Sequence, residues 1–474
     1  MDADVIIIGA GLSGICAASV ISVARPNDNI VVLEGRSSIG GTWDLFQYPG
    51  VRSDSDMHTL GYSFRPWRGQ RAITDGPSIL EYIRDTARDQ DVQRLIRFNH
   101  RLVAANWDSA AQIWHLHVDT PQGQQTLTCR FLLGCTGYYD YESGYLPDFD
   151  GQDDFSGAMV HPQHWPDGLD WAGKNVAIIG SGATAVTLLP ELARDAAHVT
   201  LIQRTPSYVV QMPARDRIAG WLDRVVPART SHAITRWKNI VVGMLSYQVT
   251  RAWPDLMGRM LAGKAAKRAD VDPAHFQAPY GPWDQRICVA PDGDMFDALR
   301  DGASIRTGHI DRFEGQGVRM QQGDFIPADI IITATGLRLR LGGGADLSVD
   351  GGQVRFPDLV SYKGAMLSGV PNFAQMFGYT NASWTLKCEL IARWVVRVLD
   401  RMERVEATSV VPKLPADMPR KPAVPLTAGY IKRGVGELPL QGNRAPWRVH
   451  QNYLRDIYEF RYAPVDDGVL TFTR

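Results

Sequence analysis

The sequence predicts an α/β fold with two Rossmann-like units and a helical insertion in the second unit. The first observation is a run of β-branched residues followed by a glycine-rich turn at the N-terminus. The second is a repeat of the same arrangement near residue 180, and the third is the stretch 213–281, which we interpret as helical. A buried parallel strand that leads into such a turn is typical of a dinucleotide-binding βαβ unit.

The first unit begins within a few residues of Met1. Asp4–Ile8 predicts a strand buried on both faces, and residues 15–23 predict the helix that follows the turn. Gly9 permits a tight turn, Gly11 lets the backbone approach a pyrophosphate, and Gly14 lets the helix pack closely on the strand. A second strand over residues 30–33 ends at Glu34, whose carboxylate can accept ribose hydroxyls. The unit could hold FAD or NAD, and its N-terminal position favours FAD by analogy with other two-dinucleotide proteins.

The second unit repeats these elements with one informative change. Lys174–Ile179 predicts the strand, and Gly180, Ser181, Gly182, Ala183, Thr184 and Ala185 form the turn. The next strand, over residues 199–202, ends in Gln203 and Arg204 where the first unit has Glu34. A neutral side chain followed by a guanidinium accepts a 2′-phosphate that a carboxylate would repel, which predicts NADPH rather than NADH. The alternative is a solvated arginine at a strand end.

Length, charge and cysteine usage exclude several classes. A chain of 474 residues can form two or three domains, and a net charge of −1 gives no electrostatic footprint for nucleic acid. The five cysteines are scattered without a C-x-x-C pair, which favours a reducing cytoplasm over a disulfide framework and gives no expectation of a metal site. No signal peptide and no membrane span are expected.

Two further motifs identify a family. Residues 155–166 match F-x-G-x-x-x-H-x-x-x-W-P, and residues 40–54 match G-G-x-W-x-x-x-x-Y-P-G-x-x-x-D. Both resemble signatures of the type I Baeyer–Villiger flavin monooxygenases. The strings GSGATAVTLLP, PWDQRICVAPDGD, ADIIITATGL and GYTNASWTLK are similar to the ethionamide-activating branch of that family. The resemblance extends over nearly the whole chain and is weakest between residues 215 and 276.

The resemblance implies an NADPH-dependent flavoprotein monooxygenase that binds FAD and consumes dioxygen. In the family, reduced flavin forms a C4a-peroxide that attacks a ketone and converts it into an ester or lactone, and sulfoxidation is a secondary activity. The site needs a positive charge that cannot act as an acid, which arginine supplies. Matching the family motifs places Arg286 in this role, with Asp54 as the carboxylate that orients it.

The resemblance also implies the residues that contact each cofactor. For FAD they are Gly9, Gly11, Ser13, Gly14, Glu34, Thr42, Trp43, Asp44, Leu45, Arg52, Ser53, Asp54 and Leu102. For NADPH they are Gly180, Ser181, Gly182, Ala183, Thr184, Ala185, Arg204 and Thr205.

The chain departs from the family at two places. Many members carry a lysine before the arginine, where this chain has Gln285, so Arg204 is expected to bear more of the selectivity for the 2′-phosphate. The chain also lacks a W-Y-x-G-x-N-x-P-G stretch that closes over NADP in several relatives, and Trp447 or Tyr453 is a candidate substitute. We assign His161, in the motif between the two units, to domain coupling rather than proton transfer.

The predicted domains are discontinuous. Residues 1–140 and 372–474 form the FAD-binding domain, residues 150–212 and 282–371 form the NADPH-binding domain, and residues 213–281 form the helical insertion. The insertion carries three tryptophans and eleven lysines and arginines against five aspartates. A membrane-surface or partner face is one interpretation, and a solvated face over a packed side is the favoured one.

Three other functions compete with this prediction. A pyridine-nucleotide disulfide reductase is rejected because residues 40–54 contain no redox cysteine pair. A non-catalytic nucleotide sensor has no need of the Arg286 and Asp54 motifs. A flavin-containing monooxygenase that oxidises sulfides, thioamides or amines is the principal alternative, so the small-molecule substrate is expected to be a ketone or a sulfide.

Overall fold

The computed structural model describes residues 1–424 and 426–474. Its chain forms two α/β lobes, and a group of helices is inserted in the sequence of the second lobe. The α-helices are α1 Leu12–Ala24, α2 Thr42–Leu45, α3 Met57–Leu60, α4 Gly76–Asp89, α5 Ala183–Leu192, α6 Arg217–Val225, α7 Ala228–Ala252, α8 Pro254–Ala269, α9 Asp294–Arg300, α10 Trp384–Arg404, α11 Gly429–Arg433 and α12 Tyr453–Ile457.

The strands include one long run without an α-helix, from β3 to β9, and are mostly short in the second half of the chain. They are β1 Ala3–Ile8, β2 Ile30–Glu34, β3 Ile96–Phe98, β4 Arg101–Asp108, β5 Ile113–Thr120, β6 Gly123–Gly134, β7 Tyr139–Gly144, β8 Ala158–Val160, β9 Asn175–Ile179, β10 His198–Gln203, β11 Val209–Met212, β12 Cys288–Pro291, β13 Ser304–Thr307, β14 Ile310–Glu314, β15 Gly317–Met320, β16 Phe325–Pro327, β17 Ile330–Thr333, β18 Leu337–Leu339, β19 Asp346–Val349, β20 Gly352–Val354, β21 Ser361–Tyr362, β22 Met366–Leu367, β23 Phe373–Gln375, β24 Ser409–Pro412, β25 Lys421–Pro422, β26 Leu440–Gln441 and β27 Leu470–Thr473.

The first lobe is built on a large mixed sheet. Its main path runs β20-β19-β4-β5-β6-β1-β2-β3, and β23, β22 and β21 continue from β6. The β1 pairings with β2 and β6 are parallel, whereas β4, β5 and β6 pair antiparallel. Because β1 is buried on both faces, its β-branched residues form the centre of the lobe. Helices α1 and α10 pack against each other and contribute to the main core.

The second lobe is a smaller doubly wound unit. Its sheet has the order β13-β10-β9-β17-β8, and every pairing in it is parallel. A three-stranded antiparallel sheet of β14, β15 and β16 lies beside it. Helix α5 follows β9 directly and is buried over most of its length, so the second glycine turn lies between them as the sequence predicts.

Helices α6, α7 and α8 form the segment between the two halves of the second lobe. The second lobe therefore contains a helical insertion, as the sequence predicts, and its three helices lie between residues 217 and 269. Two contacts anchor α7: the Arg236 guanidinium donates to the carbonyl oxygens of His58 and Gly61 at 2.9 and 2.6 Å, and Lys238 pairs with Asp216 at 2.5 Å. None of the helices in residues 1–424 and 426–474 combines the length and apolar character needed to cross a membrane.

The sheet membership differs from the predicted return to the first lobe at residue 372. Strands β19 to β22 already pair in the large sheet, and β19 aligns in parallel with β4. These strands are short and pair with residues far away in sequence, so no local sequence pattern predicts them. We propose that the second lobe ends near Thr333 and that the chain returns to the first lobe soon after it.

Candidate active site between two dinucleotide-binding turns

The first glycine turn forms an open cradle at the N-terminus of α1. Gly9 has φ +101°, and a Cβ there would lie 2.8 Å from the Cys135 carbonyl oxygen. Gly11 and Gly40 form an isolated bridge, so two backbone segments approach closely across this turn. Helix α1 has no side-chain cap and no acidic residue in its first turn. Its free backbone N–H groups fit the pyrophosphate of a dinucleotide.

Glu34 lies at the end of β2 beside this turn. Its buried carboxylate accepts the backbone N–H of Ala10 at 2.6 Å and that of Arg36 at 2.9 Å. Burial raises the pKa of Glu34, and the two N–H donors oppose that change. Each oxygen keeps further acceptor capacity, which suits ribose hydroxyls. Leu102 is a buried residue of β4. Just before this strand, the backbone N–H of His100 donates to the Glu34 carbonyl at 2.9 Å.

The predicted residue Ser13 contacts protein instead of lying free in the turn. Its hydroxyl accepts the indole N–H of Trp384 at 2.8 Å and lies 3.4 Å from the thiol of Cys388. These contacts tie the first turn of α1 to the start of α10. We conclude that the Ser13 side chain positions the helix, whereas Gly14 serves packing, since its Cβ would lie 1.8 Å from the Gly9 carbonyl oxygen.

The G-G-T-W-D-L stretch forms the short helix α2 next to the cradle. Thr42 contacts the Tyr141 hydroxyl at 3.4 Å, while Trp43 and Leu45 are half-buried. The Asp44 carboxylate is engaged by Arg36 at 2.7 Å and Arg84 at 3.0 Å. Its side chain therefore organises the loop instead of presenting a free carboxylate to a cofactor, which corrects the prediction for the Asp44 side chain.

Arg52 and Ser53 also have protein partners. The Arg52 guanidinium donates to the carboxylate of Asp294 and to the Val289 carbonyl at 3.3 Å, so it links this loop to β12 and α9. The buried Ser53 hydroxyl accepts the Ser55 N–H at 2.9 Å. The contact of the Arg52 side chain with a cofactor is therefore not supported by this geometry, because the second lobe supplies its carboxylate.

The second glycine turn has the same design as the first. Gly180 has φ +143°, and a Cβ there would lie 2.2 Å from the Ala334 carbonyl oxygen. Gly182 opens onto free space, and α5 begins at Ala183 with no side-chain cap and no acid in its first turn. Ser181 contacts the Ser207 hydroxyl at 2.9 Å, and Ala185 is buried. Thr184 and Thr205 are half-buried at the edges of this turn.

Gln203 and Arg204 have different roles in the structure. The amide of Gln203 is buried and donates to the His275 carbonyl at 2.7 Å and the Thr307 hydroxyl at 2.9 Å. Gln203 is therefore not free to accept a 2′-phosphate, which corrects that part of the prediction. Arg204 is exposed and has no carboxylate partner among residues 1–424 and 426–474.

A second arginine lies close to Arg204. The guanidinium carbon of Arg433 lies 3.5 Å from the ring centroid of Tyr145. Burial lowers the pKa of Arg433, Tyr145 opposes this change, and the positive charge of Arg204 reinforces it. Two guanidinium groups within electrostatic reach of each other, neither with an ion pair to a carboxylate in the described chain, therefore leave positive charge beside the second turn.

Arg286 and Asp54 share the wall of a cavity of about 260 Å³. The two side chains do not form a direct ion pair, so the predicted orienting contact is absent. Instead, the Arg286 guanidinium donates to the backbone carbonyls of Thr380 and Tyr379, both at 3.2 Å. Burial raises the pKa of Asp54 to about 6, although the charges of Arg286 and Arg52 act against this change. The Arg286 side chain is open to the cavity. Surrounding protein atoms lower the pKa of its guanidinium, but Tyr138, Tyr430, Tyr139 and Asp54 outweigh this effect and the pKa is raised.

Gln451 fixes the loop that holds Arg286. Its side-chain oxygen accepts the backbone N–H of Thr380 at 3.0 Å, and its carbonyl accepts from Asn381 at 3.0 Å. The sequence predicts that the stretch GYTN returns the chain to the first lobe, but it does not predict the contact of this stretch with Arg286. Sequence reasoning also missed Gln451, because a glutamine in the C-terminal tail carries no signal for such a contact.

Two pocket residues carry buried polar atoms without partners in the described residues. They are the indole N–H of Trp283 and the side-chain oxygen of Asn381. Trp283 also has φ +71°, a conformation that non-glycine residues rarely adopt. Unpaired polar atoms and backbone strain at one cavity are typical of a ligand-binding site.

Trp447, Tyr453 and His161 lie in different surroundings. Trp447 is fully buried and packs edge-on against Tyr362, so it is wrong as a residue that closes over a cofactor. Tyr453 lines the cavity.

His161 lies 3.2 Å from the Gly336 carbonyl and accepts the backbone N–H of Gln163, and burial lowers the pKa of its imidazole. These contacts lie at the junction of the two lobes.

Comparison with known proteins identifies the family. The model of the flavin-binding monooxygenase-like family matches residues 2–246. The chain is 47% identical to the FAD-containing monooxygenase EthA of Mycobacterium tuberculosis over 478 residues, covering 99% of this chain and 98% of EthA. It is 46% identical to EthA of Mycolicibacterium smegmatis, covering 99% and 97% of the two chains.

Solved structures agree at the level of the fold. The OTEMO complex with FAD and NADP superposes with a TM-score of 0.76 at 21% identity and 99% coverage of both chains. Oxidised steroid monooxygenase bound to NADP gives a TM-score of 0.76 at 22% identity and full coverage of both chains. The chain belongs to the flavin-binding monooxygenase-like family, which confirms the resemblance seen in the sequence.

Proposed function

We propose that this chain oxidises apolar ketones to esters or lactones, with sulfur oxidation as a secondary activity. The enzyme is a flavoprotein monooxygenase with FAD and NADPH as cofactors, in agreement with its relatives. FAD supplies hydride acceptance and, once reduced, the activation of dioxygen. The remaining roles belong to residues of this chain.

The turn at Gly9 to Gly14 fits FAD. Gly9 lets the turn pack closely on the Cys135 backbone, and the N-terminus of α1 is uncapped, so its backbone N–H groups are available to a pyrophosphate. Glu34 then accepts ribose hydroxyls at the end of β2. The backbone of residues 42–45 forms the neighbouring wall.

The turn at Gly180 to Ala185 fits NADPH. Its pyrophosphate would lie on the N-terminus of α5, while Arg204 and Arg433 hold the 2′-phosphate from two sides. The stacking of Arg433 on Tyr145 fixes one guanidinium without a carboxylate, so its charge stays available for an anion. Arg433 thereby compensates for Gln285, which stands where many relatives have a lysine.

The observation that carries the proposed reaction is the position of Arg286. Its guanidinium donates to two neutral carbonyl oxygens at 3.2 Å and not to a carboxylate, so no hydrogen-bonded anion neutralises its charge. It stabilises negative charge on the oxygen that attacks the substrate and does not protonate it, because arginine does not act as an acid. Asp54, across the cavity, balances this charge as a carboxylate.

The free, buried cysteines support a reducing, cytoplasmic environment for the enzyme. Small-molecule substrates enter the cavity that Asp54 and Arg286 line. Its wall mixes apolar side chains such as Met244 and Leu386 with polar ones such as Arg286, which suits a largely apolar molecule with one carbonyl.

The direct test is a substrate panel read by mass spectrometry. Purified FAD-loaded protein is incubated with NADPH under air and with linear, cyclic and aryl ketones, thioethers and thioamides. Ester or lactone from at least one ketone class, formed with NADPH and not with NADH, is the expected result. Products of sulfur or nitrogen oxidation alone would assign the chain to the alternative activity.

A further inference from the structure

The neighbouring helices α6, α7 and α8 each expose apolar side chains. On α7 the exposed side chains are Ile234, Trp237, Val241, Leu245 and Val249, which recur every three or four residues and so lie on one side of the helix. Leu245 keeps 57% of its surface exposed. A solvated helix face normally carries polar residues at these positions, so this surface calls for a partner.

The neighbouring helices extend the same surface. Trp221 on α6 and Trp253 at the start of α8 are 60% and 59% exposed, and Val225 and Leu256 follow on the two helices. Indole rings prefer the boundary between water and hydrocarbon, where the ring is apolar and the N–H stays wet. We call residues 217–264 on this exposed side the insertion face.

The insertion face is also cationic. Exposed arginines and lysines without an ion pair in the described chain stand on all three helices: Arg217, Arg224, Arg229, Arg259 and Lys264. The stretch 213–281 contains eleven lysines and arginines and five aspartates, whereas the whole chain has a net charge of −1. The rest of the protein is therefore acidic, and the positive charge is concentrated around the exposed tryptophans.

The apolar and cationic character of the insertion face together indicate one kind of partner. Two copies of the same cationic face would repel each other, which disfavours a symmetric dimer through it. An anionic phospholipid surface offers both headgroup charge for the arginines and an apolar interior for the side chains between them. The acidic remainder of the chain would be repelled by that surface, which orients the protein with this face toward it.

We propose that the insertion face docks this enzyme on anionic phospholipid bilayers. The opposite side of α7 carries Asn239, Gly243, Met244 and Tyr247, which line the cavity that contains Arg286. One helix, about 10 Å thick, therefore separates the lipid surface from this cavity. The buried contacts of Arg236 hold α7 in this position.

Docking has a consequence for substrate access that rests on the proposed function. An apolar ketone dissolved in the bilayer would reach the cavity along α7 without crossing bulk water. Docking itself does not depend on the reaction, so the two statements can fail separately.

The test is co-sedimentation of the FAD-loaded protein with sucrose-filled vesicles. Vesicles of phosphatidylcholine alone are compared with vesicles that contain one-third phosphatidylglycerol, at low and high salt. We expect binding to the anionic vesicles at least about tenfold stronger than to the neutral ones, and weaker in salt. Equal binding to both vesicles, or none to the anionic vesicles, would overturn the proposal.

Three variants locate the surface. Trp221→Ser/Leu245→Ser/Trp253→Ser and Arg217→Glu/Arg224→Glu/Arg259→Glu should each lose most of the binding. The matched control Val23→Ser/Leu146→Ser/Phe325→Ser removes three exposed apolar side chains elsewhere and should bind like the wild type. Insertion-face variants that sediment like the wild type contradict the proposal. The proposal is also contradicted if light scattering shows that the wild type is a dimer and that the insertion-face variants are monomers.

A kinetic comparison tests access. The apolar triple variant should lose rate on a long-chain ketone supplied in anionic vesicles and keep the wild-type rate on water-soluble cyclohexanone. Equal losses on both ketones would contradict access from the bilayer. If neither ketone reacts with the wild type, the proposed function fails, while sedimentation still decides docking.

Discussion

Replacing Asp54 by asparagine should make the protein more stable at neutral pH and less active. Burial raises the pKa of the Asp54 carboxyl from 3.8 to about 6, against the opposing charges of Arg286 and Arg52. Folding therefore favours the protonated form. The contribution to stability is complete below about pH 4 and is lost as the pH rises through 6. At pH 7 the ionised carboxylate costs free energy that asparagine avoids.

The magnitude follows from this difference in pKa. A change from 3.8 to about 6 corresponds to about 3 kcal/mol. Because Asp54 faces an open cavity, solvent screens part of this cost, and we expect about 1–2 kcal/mol. A bound cofactor would exclude more water from the cavity, so the direction holds in the holoenzyme. The thermal midpoint of Asp54→Asn should rise by about 1–2 °C at pH 8, because the unfolding entropy of a 474-residue chain is large, and stay near that of the wild type at pH 4.

The assay is thermal unfolding of the holoenzyme between pH 4 and 8, together with NADPH oxidation and ester yield. The exposed Asp153→Asn serves as the control and should leave the midpoint unchanged at every pH. Activity of Asp54→Asn should fall about tenfold or more, since the charge opposite Arg286 is lost. An Asp54→Asn variant that is no more stable than the wild type at pH 8 would refute the burial argument.

Two other predictions concern the second lobe and the insertion. Arg204→Gln and Arg433→Gln should each raise the Michaelis constant for NADPH by about ten- to a hundredfold and leave that for NADH unchanged, because a charge-assisted phosphate contact contributes about 1.5–3 kcal/mol. Steady-state kinetics with both cofactors test this, and equal effects on the two would exclude the role. Arg236→Ala leaves Glu389 buried and unpaired, so unfolding experiments should show a loss of about 3–5 kcal/mol. A loss below about 1 kcal/mol would mean that Arg236 does not anchor α7.

The fold was largely predictable because its signals are local. The run before Gly9 and the run before Gly180 each specify a buried strand, and the glycines specify the turn that follows. The predicted strands over residues 4–8 and 174–179, and the predicted helix over residues 15–23, lie within a few residues of β1, β9 and α1. The position of Glu34 at a strand end also follows from local order alone.

The partners of charged side chains were not predictable in the same way. Arg52 pairs with Asp294, and Arg286 rests on the carbonyls of Tyr379 and Thr380. Each contact joins residues far apart in the chain, and a carbonyl partner leaves no mark in the sequence. The Gln203 amide likewise donates to the backbone carbonyl of His275, which lies near the end of the insertion and far from Gln203 in sequence.

The division of the chain into lobes depends on the same long-range information. Strand β19 pairs with β4 across more than half of the chain, and it has only four residues. A strand of that length carries little periodicity, so a boundary that depends on it cannot be located from sequence.

The central claim is that Arg286 supplies a permanent positive charge that never acts as an acid. It is tested by the ratio of ester formed to NADPH consumed, measured with a reactive ketone for the wild type, Arg286→Lys and Arg286→Ala. Arg286→Ala should still consume NADPH but release hydrogen peroxide, with ester yield lower by about two to three orders of magnitude. Arg286→Lys keeps a charge that can donate a proton and should fall between the two. An ester yield from Arg286→Ala equal to that of the wild type would contradict the account.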